Sequence, residues 1–274
     1  MLPALVVALT AIPQGAPAQT ASGGQLTAPG PKRPEPVPPG AGKTTPSPDA
    51  AVVTRSWIDT GNRSAVAAAY HRTFNSPVPA SGWTGNIPGC VPGTLAADHR
   101  AAIMDRVNWY RGMAGVLDGV TEHGPFSVDA QAAALMSAAN DQLSHDPPST
   151  WNCFSASGHR GSSKSNLSLA SQGQAGIDLF MNDPGANNAP VGHRWWTLHP
   201  TQVRMGVGSV PGAVWHDQAM SLFVVDDENF FPPTPPAICE PGGFVPQSTV
   251  FPRWSLFKEG ADFRAAVVQV SVTG

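Results

Sequence analysis

Histidine is the side chain best suited to proton transfer or metal ligation near neutral pH, and this sequence carries eight. Ser144, His145 and Asp146 stand side by side, followed by Pro147 and Pro148. Adjacency does not make a triad, because nucleophile, base and orienting acid meet in space rather than along the chain. His193 is followed by Arg194, whose guanidinium suits a carboxylate or phosphate, or an ordinary surface ion pair. His159, His199 and His216 have no partner at ligand spacing and read as hydrogen-bonded or solvated residues. No Gly-x-Ser-x-Gly elbow, no His-Glu-x-x-His and no phosphate-binding Gly-x-x-x-x-Gly-Lys-Ser/Thr loop is present. Trp151, Trp195, Trp196, Trp215 and Trp254 supply aromatic surface, for core packing or for an apolar wall against a glycan or lipid tail.

Helices and strands must place these groups. Residues 64–70 read as a short helix and 77–90 as a loop. Ile103, Val107, Tyr110 and Met113 recur at steps of four and three, predicting a helix over 97–114 that ends at Gly112 and Gly115. A second helix is predicted over 129–144, capped by Ser127 or Asp129, with Ala132, Leu135, Met136, Ala139 and Leu143 as its buried stripe. The following Asp146-Pro147-Pro148 stops it, which places His145 on its last turn at the edge of the stripe, where a side chain bordering a groove would stand. A third helix covers 172–182 with Ile177, Phe180 and Met181 inward, and a short helical piece spans 193–198. Beyond Pro200 the pattern changes to strands at 205–210, 212–216, 219–226 and 265–273, separated by a Pro-rich connection over 230–246. Helices first and strands later favour an α+β class.

The ends carry different information. The apolar run of residues 1–11, followed by Ala16-Pro17-Ala18, has the apolar region and cleavage pattern of a signal peptide over 1–18, although its usual positive start is missing. Residues 19–49 are Pro, Gly, Ser, Thr and Ala with almost no large apolar side chain, and read as a disordered linker. The ordered domain is expected over 50–274. A net charge of −3 offers no basic patch for nucleic acid, and no run approaches the roughly 18–20 apolar residues of a transmembrane span. Three cysteines give one disulfide and a spare thiol in an oxidising compartment, or three unpaired thiols otherwise. Cys90–Cys153 is the preferred pair, since both lie in loops flanking the first two helices. No Cys/His spacing for a structural zinc finger occurs.

Five segments then fall into one pattern. They are Asn108-Trp109-Tyr110-Arg111 with Met113-Ala114-Gly115; the Ala-rich helix ending Leu143-Ser144-His145; Ser165-Asn166-Leu167; Gly192-His193-Arg194; and Met205-Gly206-Val207-Gly208. In this order and spacing, over about 97–225, they resemble the CAP superfamily (cysteine-rich secretory, antigen-five and pathogenesis-related-one proteins) in its bacterial form. Residues 243–246 and 251–255 resemble an extension seen beyond the core in some bacterial members. The resemblance implies a three-layer α-β-α sandwich with a Pro-rich C-terminal strand extension, secretion, and a groove lined in many members by two histidines and two acidic residues.

By the same resemblance, His145 and His193 are the groove histidines, Ser165 stands where the family has Glu, and Asp183 takes the second acidic position. Asn166 and Arg194 complete the candidate groove. Two facing imidazoles suit Zn²⁺ or another divalent ion, and equally suit a hydrogen-bonded pair that pins two helices. Ser165 is the one nucleophile candidate near them. The reading is a secreted or envelope-associated binder without catalytic residues, taking a lipid, sterol or cell-wall glycan. The alternatives are a metal-dependent or serine-type hydrolase at the His145/His193 groove and a protein-interaction module.

Overall fold

Asn62 opens the first helix by accepting the backbone N–H groups of Ser64 and Ala65 on its side-chain oxygen, an N-cap that satisfies two otherwise orphaned donors. The helix, α1 (Arg63–Ala69), widens into one π-helical turn over Tyr70–Phe74, which lays Phe74 against Trp109. The computed structural model of the chain describes residues 6–9, 27, 58–116, 119–188, 190–200, 202–212, 217–226, 243–255 and 269–272. The leader and linker expectations therefore lie outside the described residues, except at Val6–Leu9 and Thr27, as do most of the predicted strand at 212–216 and Cys239.

The helix α2 (Ala97–Met113) matches the predicted 97–114, and Ile103, Val107, Tyr110 and Met113 are all buried. Gly115 follows at φ +68° and turns the chain away. The next helix departs from expectation. It is α3 (Gly124–Asn140), with Pro125 in its first turn, and it ends at Asp141, whose φ of 48° is left-handed. Aspartate tolerates that conformation, and its N–H returns to the Ser137 carbonyl. The proline pair is thus not the stop, and His145 lies in the loop beyond the helix rather than on its last turn. Ser127 and Asp129 sit inside α3. Ser127 Oγ donates to Glu122 and accepts the Val207 N–H, while Asp129 accepts Ser157 and pairs with Arg160.

Two elements had no hydrophobic period to announce them: α4 (Ala156–Lys164), capped by Ser155, and β3 (Ser165–Leu169). The helix α5 (Gly173–Asn182) and the short α6 (Gly192–Thr197) fall where 172–182 and 193–198 were read. The strands β2 (Thr121–Glu122), β4 (Arg204–Val210), β5 (Ala219–Phe223) and β3 form one sheet in the order β2-β4-β5-β3, antiparallel apart from the parallel β2–β4 pair. Separately, β1 (Val6–Leu9) pairs in parallel with β6 (Gln269–Val272).

Register assigns the faces. Ser165, Gly206 and Phe223 share one row, and Leu167, Gly208 and Ser221 the next on that face. This face meets α3: Phe223 stacks on Phe126 with ring centroids 4.3 Å apart. A Cβ on Gly208 would lie 2.1 Å from the Ala130 carbonyl carbon, and one on Gly206 2.2 Å from that of Phe126. On the far side of α3, a Cβ on Gly161 of α4 would lie 2.1 Å from the Asp129 oxygen. The opposite face carries Val207, Met220 and Leu222 into the main core with Ile103, Val107, Tyr110, Ile177, Phe180 and Trp196 from α2, α5 and α6. The result is the expected α-β-α sandwich of the α+β class. A disulfide joins Cys90 to Cys153, with Cα atoms 5.0 Å apart, and so links the loop before α2 to the loop after α3. Outside the sandwich, Val245 and Phe251 of residues 243–255 pack on the main core.

The glycine contact gives a direct test. Gly208→Ala would drive a methyl into the α3 backbone, and overpacking of this kind costs about 1–3 kcal/mol. Thermal unfolding followed by circular dichroism should show a Tm lower by at least about 3 °C, on the usual scaling for chains of this size. An unchanged Tm would mean that α3 shifts freely off the sheet.

Candidate functional site

Two left-handed residues shape the site. Asp183 (φ 49°) ends α5 and Val191 (φ 49°) begins α6. Val191 has no side-chain oxygen to cap α6, so the carboxylate of Asp183 does this from across the loop. Its Oδ2 accepts the backbone N–H of His193 at 3.1 Å and that of Arg194 at 3.4 Å. Its Oδ1 accepts His193 Nδ1–H at 2.7 Å. Both side chains are fully buried, and the His193 imidazole stacks on Phe180 at 5.4 Å with an interplanar angle of 15°. That hydrogen bond assigns the His193 tautomer and leaves the lone pair on Nε2, which is buried without a hydrogen-bond partner among the described residues.

The neighbours continue the network. Asn166 on β3 donates its amide to the His193 carbonyl at 3.0 Å and to Thr197 Oγ1 at 3.2 Å, and Thr197 Oγ1 donates to the same carbonyl at 2.8 Å. Arg194 turns away from the ring, donating Nε–H to the Met181 carbonyl at 2.7 Å and Nη1–H to Ser255 Oγ at 3.2 Å. Arg253 clamps the loop from outside, reaching the carbonyls of Asp183, Asn188 and Gly185.

The structure therefore brings Asn166, Asp183, His193 and Arg194 into one buried network. Ser165 and His145 stand differently. The pleat puts Ser165 on the α3 side of β3, beside Phe223, while Asn166 faces α6. His145, half-buried, holds the Ser162 carbonyl of α4 through Nδ1 at 2.6 Å. Thr197, Phe180 and Arg253 belong to the network and were not singled out as site residues. Phe180 had been placed inward by its period, but nothing in the sequence marks its ring as the platform for His193. Asn166 is also part of an Asn-Leu-Ser sequon, yet its side chain is wholly enclosed.

The donor set does not fit a closed zinc site, which needs four ligands, or three with one open position. His193 Nε2 is a suitable ligand atom, oriented by a carboxylate as metal-bound histidines are. However, both Asp183 oxygens are committed to α6 and Nδ1, and serine stands at the first acidic position. Among the described residues, no group of three or more His, Cys, Asp or Glu is placed to hold an ion.

An ionic cluster lies between α2 and α5, with Arg106 buried and Asp178 half-buried. Arg106 Nη1 reaches both Asp178 oxygens at 2.9 and 2.8 Å, and Tyr110 donates its hydroxyl to Oδ1 at 2.9 Å. The Arg106 guanidinium lies 3.6 Å over the Phe74 ring. Burial pushes the Asp178 carboxyl above the usual carboxylate range, against the opposing pull of Arg106 and of the Tyr110 hydrogen bond. Burial likewise pushes the Tyr110 phenol up, reinforced by the Asp178 charge. A raised folded-state value means that Asp178 stabilises the fold fully below its unfolded value, and that this contribution is lost as pH rises through the folded one. The stability of the wild type minus that of Asp178→Asn should therefore shrink as pH rises from about 4 into the near-neutral range. Urea unfolding at steps across that range reads it, and a difference that widens with pH would contradict the assignment.

The comparisons with known proteins agree with this architecture. No curated protein and no solved structure gives a match. A family model, that of the cysteine-rich secretory protein family (CAP), matches residues 104–225, the span that holds α3 to α6, the four-stranded sheet and the His193 network. Over residues 104–225 the chain is similar to the CAP family.

Proposed function

We propose that this protein is an exported, non-enzymatic CAP-type binding module that takes an apolar ligand (lipid or sterol) or a cell-wall glycan at the cell envelope or outside the cell. One observation carries the non-enzymatic part. The imidazole of His193 is enclosed, with Nε2 buried, and Asp183 serves α6 as well as the ring: one oxygen accepts two backbone N–H groups and the other Nδ1–H. The pair works as a structural clamp, and the imidazole is held flat on Phe180 rather than presented to solvent. Export is supported by the Cys90–Cys153 disulfide, which persists in oxidising compartments, and by the apolar leader with Ala16-Pro17-Ala18. No helix among the described residues is long and apolar enough to cross a membrane. The ligand class is supported by Phe244, Val250 and Trp254, exposed on the same segment whose Arg253 clamps the His193 loop. Aromatic faces of this kind stack on sugars and lipid tails.

A hydrolase remains the second reading because of one feature, the buried Asp183–His193 pair with its unpartnered Nε2, which has the orientation of a general base. Its nucleophile candidate, Ser165, faces the α3 side of β3. Two measurements separate the readings. Vesicles of neutral phospholipid with sterol, and purified peptidoglycan, should retain the full chain, and Trp254→Ala should reduce that retention at least about tenfold, as loss of an aromatic anchor does. Calorimetric titration of Zn²⁺ should give no saturable heat in either the wild type or His193→Ala. One-to-one zinc binding lost in His193→Ala, or fluorophosphonate labelling lost in Ser165→Ala, would reverse the assignment.

A further inference from the structure

The outer edge of β3 is the open end of the sheet, since β3 is last in the order β2-β4-β5-β3. An edge strand leaves a row of unpaired backbone groups and is normally wet or blunted. Here every residue of Ser165–Leu169 is buried. A residue from far upstream reaches this edge: Thr27 forms an antiparallel bridge with Ser168 and is itself 2% exposed. Both of its polar ends are read by the loop between α5 and α6. The Asn187 amide donates to the Thr27 carbonyl at 3.3 Å, and the Asn188 amide donates to Thr27 Oγ1. Asn188 is buried and fixed by a further bond to the Pro184 carbonyl at 2.7 Å, in the loop that Arg253 clamps. This is a built receptor: a sheet edge supplies main-chain pairing, and two asparagines select an extended residue bearing a hydroxyl.

The geometry points to a β-augmentation slot along β3, filled in cis at Thr27. The sequence has the matching feature. Residues 19–28 are the longest run without proline in 19–49, and Pro29 ends the supply of ladder N–H donors directly after Thr27-Ala28. Main-chain pairing supplies the affinity of such a contact and the enclosed side chain its specificity. Any partner that adds a strand to this edge must first displace Thr27 from its place beside the α5–α6 loop. The inference does not depend on what the domain binds elsewhere.

The test uses the full chain and two variants of it, one with residues 22–30 replaced by an equal length of Gly-Ser and one with Thr27→Lys, whose ammonium cannot be buried there. Hydrogen exchange measured by mass spectrometry over 165–170 should be at least about tenfold faster in both variants than in the wild type, because local opening sets the rate. A fluorescein-labelled peptide of residues 22–30 should bind the Gly-Ser variant saturably and one-to-one, at least about tenfold tighter than it binds the wild type, whose slot is filled. The same peptide carrying Thr27→Lys should not bind. Equal exchange in all three chains, or peptide binding that is the same for wild type and variant or absent from both, overturns the proposal. If the Gly-Ser chain fails to fold, exchange in Thr27→Lys alone decides it.

Discussion

Asp183→Ala is expected to lower the stability of the domain by about 3–5 kcal/mol, at about 1–3 kcal/mol for each buried donor left without its acceptor. Three donors lose their acceptor at once: the N–H of His193, the N–H of Arg194 and His193 Nδ1–H. None can turn to water, since His193 is 0% exposed and Arg194 3%. The helix they open has only six residues, far below the length at which a helix holds itself together in water. Asp183→Asn keeps one carbonyl oxygen for the backbone donors and should recover part of the loss, but its NH₂ group would face Nδ1–H. Urea unfolding at neutral pH measures both. A cost below about 1 kcal/mol for the alanine variant would mean that α6 is held by packing alone, and the clamp assignment would fall.

Arg111→Ala should be comparably damaging, about 4 kcal/mol, for a matching reason at the other end of α6. Arg111 is fully buried, and its guanidinium reaches the carbonyls of Thr197 at 3.0 Å, His199 at 2.9 Å and Gln202 at 3.2 Å. These carbonyls close a short helix and the turn after it, where helix ends leave acceptors without intrahelical donors; that of His199 also accepts the Gln202 N–H at 3.2 Å. Truncation removes all three hydrogen bonds and leaves a cavity where the guanidinium stood. Arg111→Lys retains the charge but not the planar fork, so it should sit between wild type and alanine. Denaturant midpoints order the three proteins. Lysine equal to wild type would show that charge alone, and not the fork geometry, matters at this site. The two predictions share one physical picture: His193 is positioned by a buried anion at one end of its helix and a buried cation at the other.

Where hydrophobic period was strong, the sequence placed elements well. Ile103, Val107, Tyr110 and Met113 located α2 to within a residue at its C-terminus, and Ile177, Phe180 and Met181 located α5. The segment 205–210 covers β4 but for its first residue, and 219–226 contains β5. The shift of α3 came from a different source. The helix ends because Asp141 takes a left-handed turn, which an Asp can do and a hydrophobic pattern cannot announce, while the proline pair downstream gave a false stop. The elements α4 and β3 were not legible, because α4 is rich in Ser and Gly and β3 reads Ser-Asn-Leu-Ser-Leu. The glycines of α4 let backbones approach, as at Gly161 over Asp129, and this has no periodic signature.

The sequence by itself determined the α+β class, from the order of its periodic segments, and a preferred disulfide, which the structure forms between Cys90 and Cys153. Asn166, Asp183, His193 and Arg194 entered as groove candidates through the family resemblance. Only the tertiary structure decided what those residues do. It set the Asp183 carboxylate against α6, turned Ser165 and Asn166 to opposite faces of one strand, carried His145 onto α4, and seated Thr27 at the β3 edge. A carboxylate can ligate a metal, orient a base or cap a helix, and its residue type is the same in all three roles. Which hydrogen-bond donors reach it depends on backbone conformation at Asp183 and Val191 and on packing against Phe180, and those are fixed only when the whole sandwich closes.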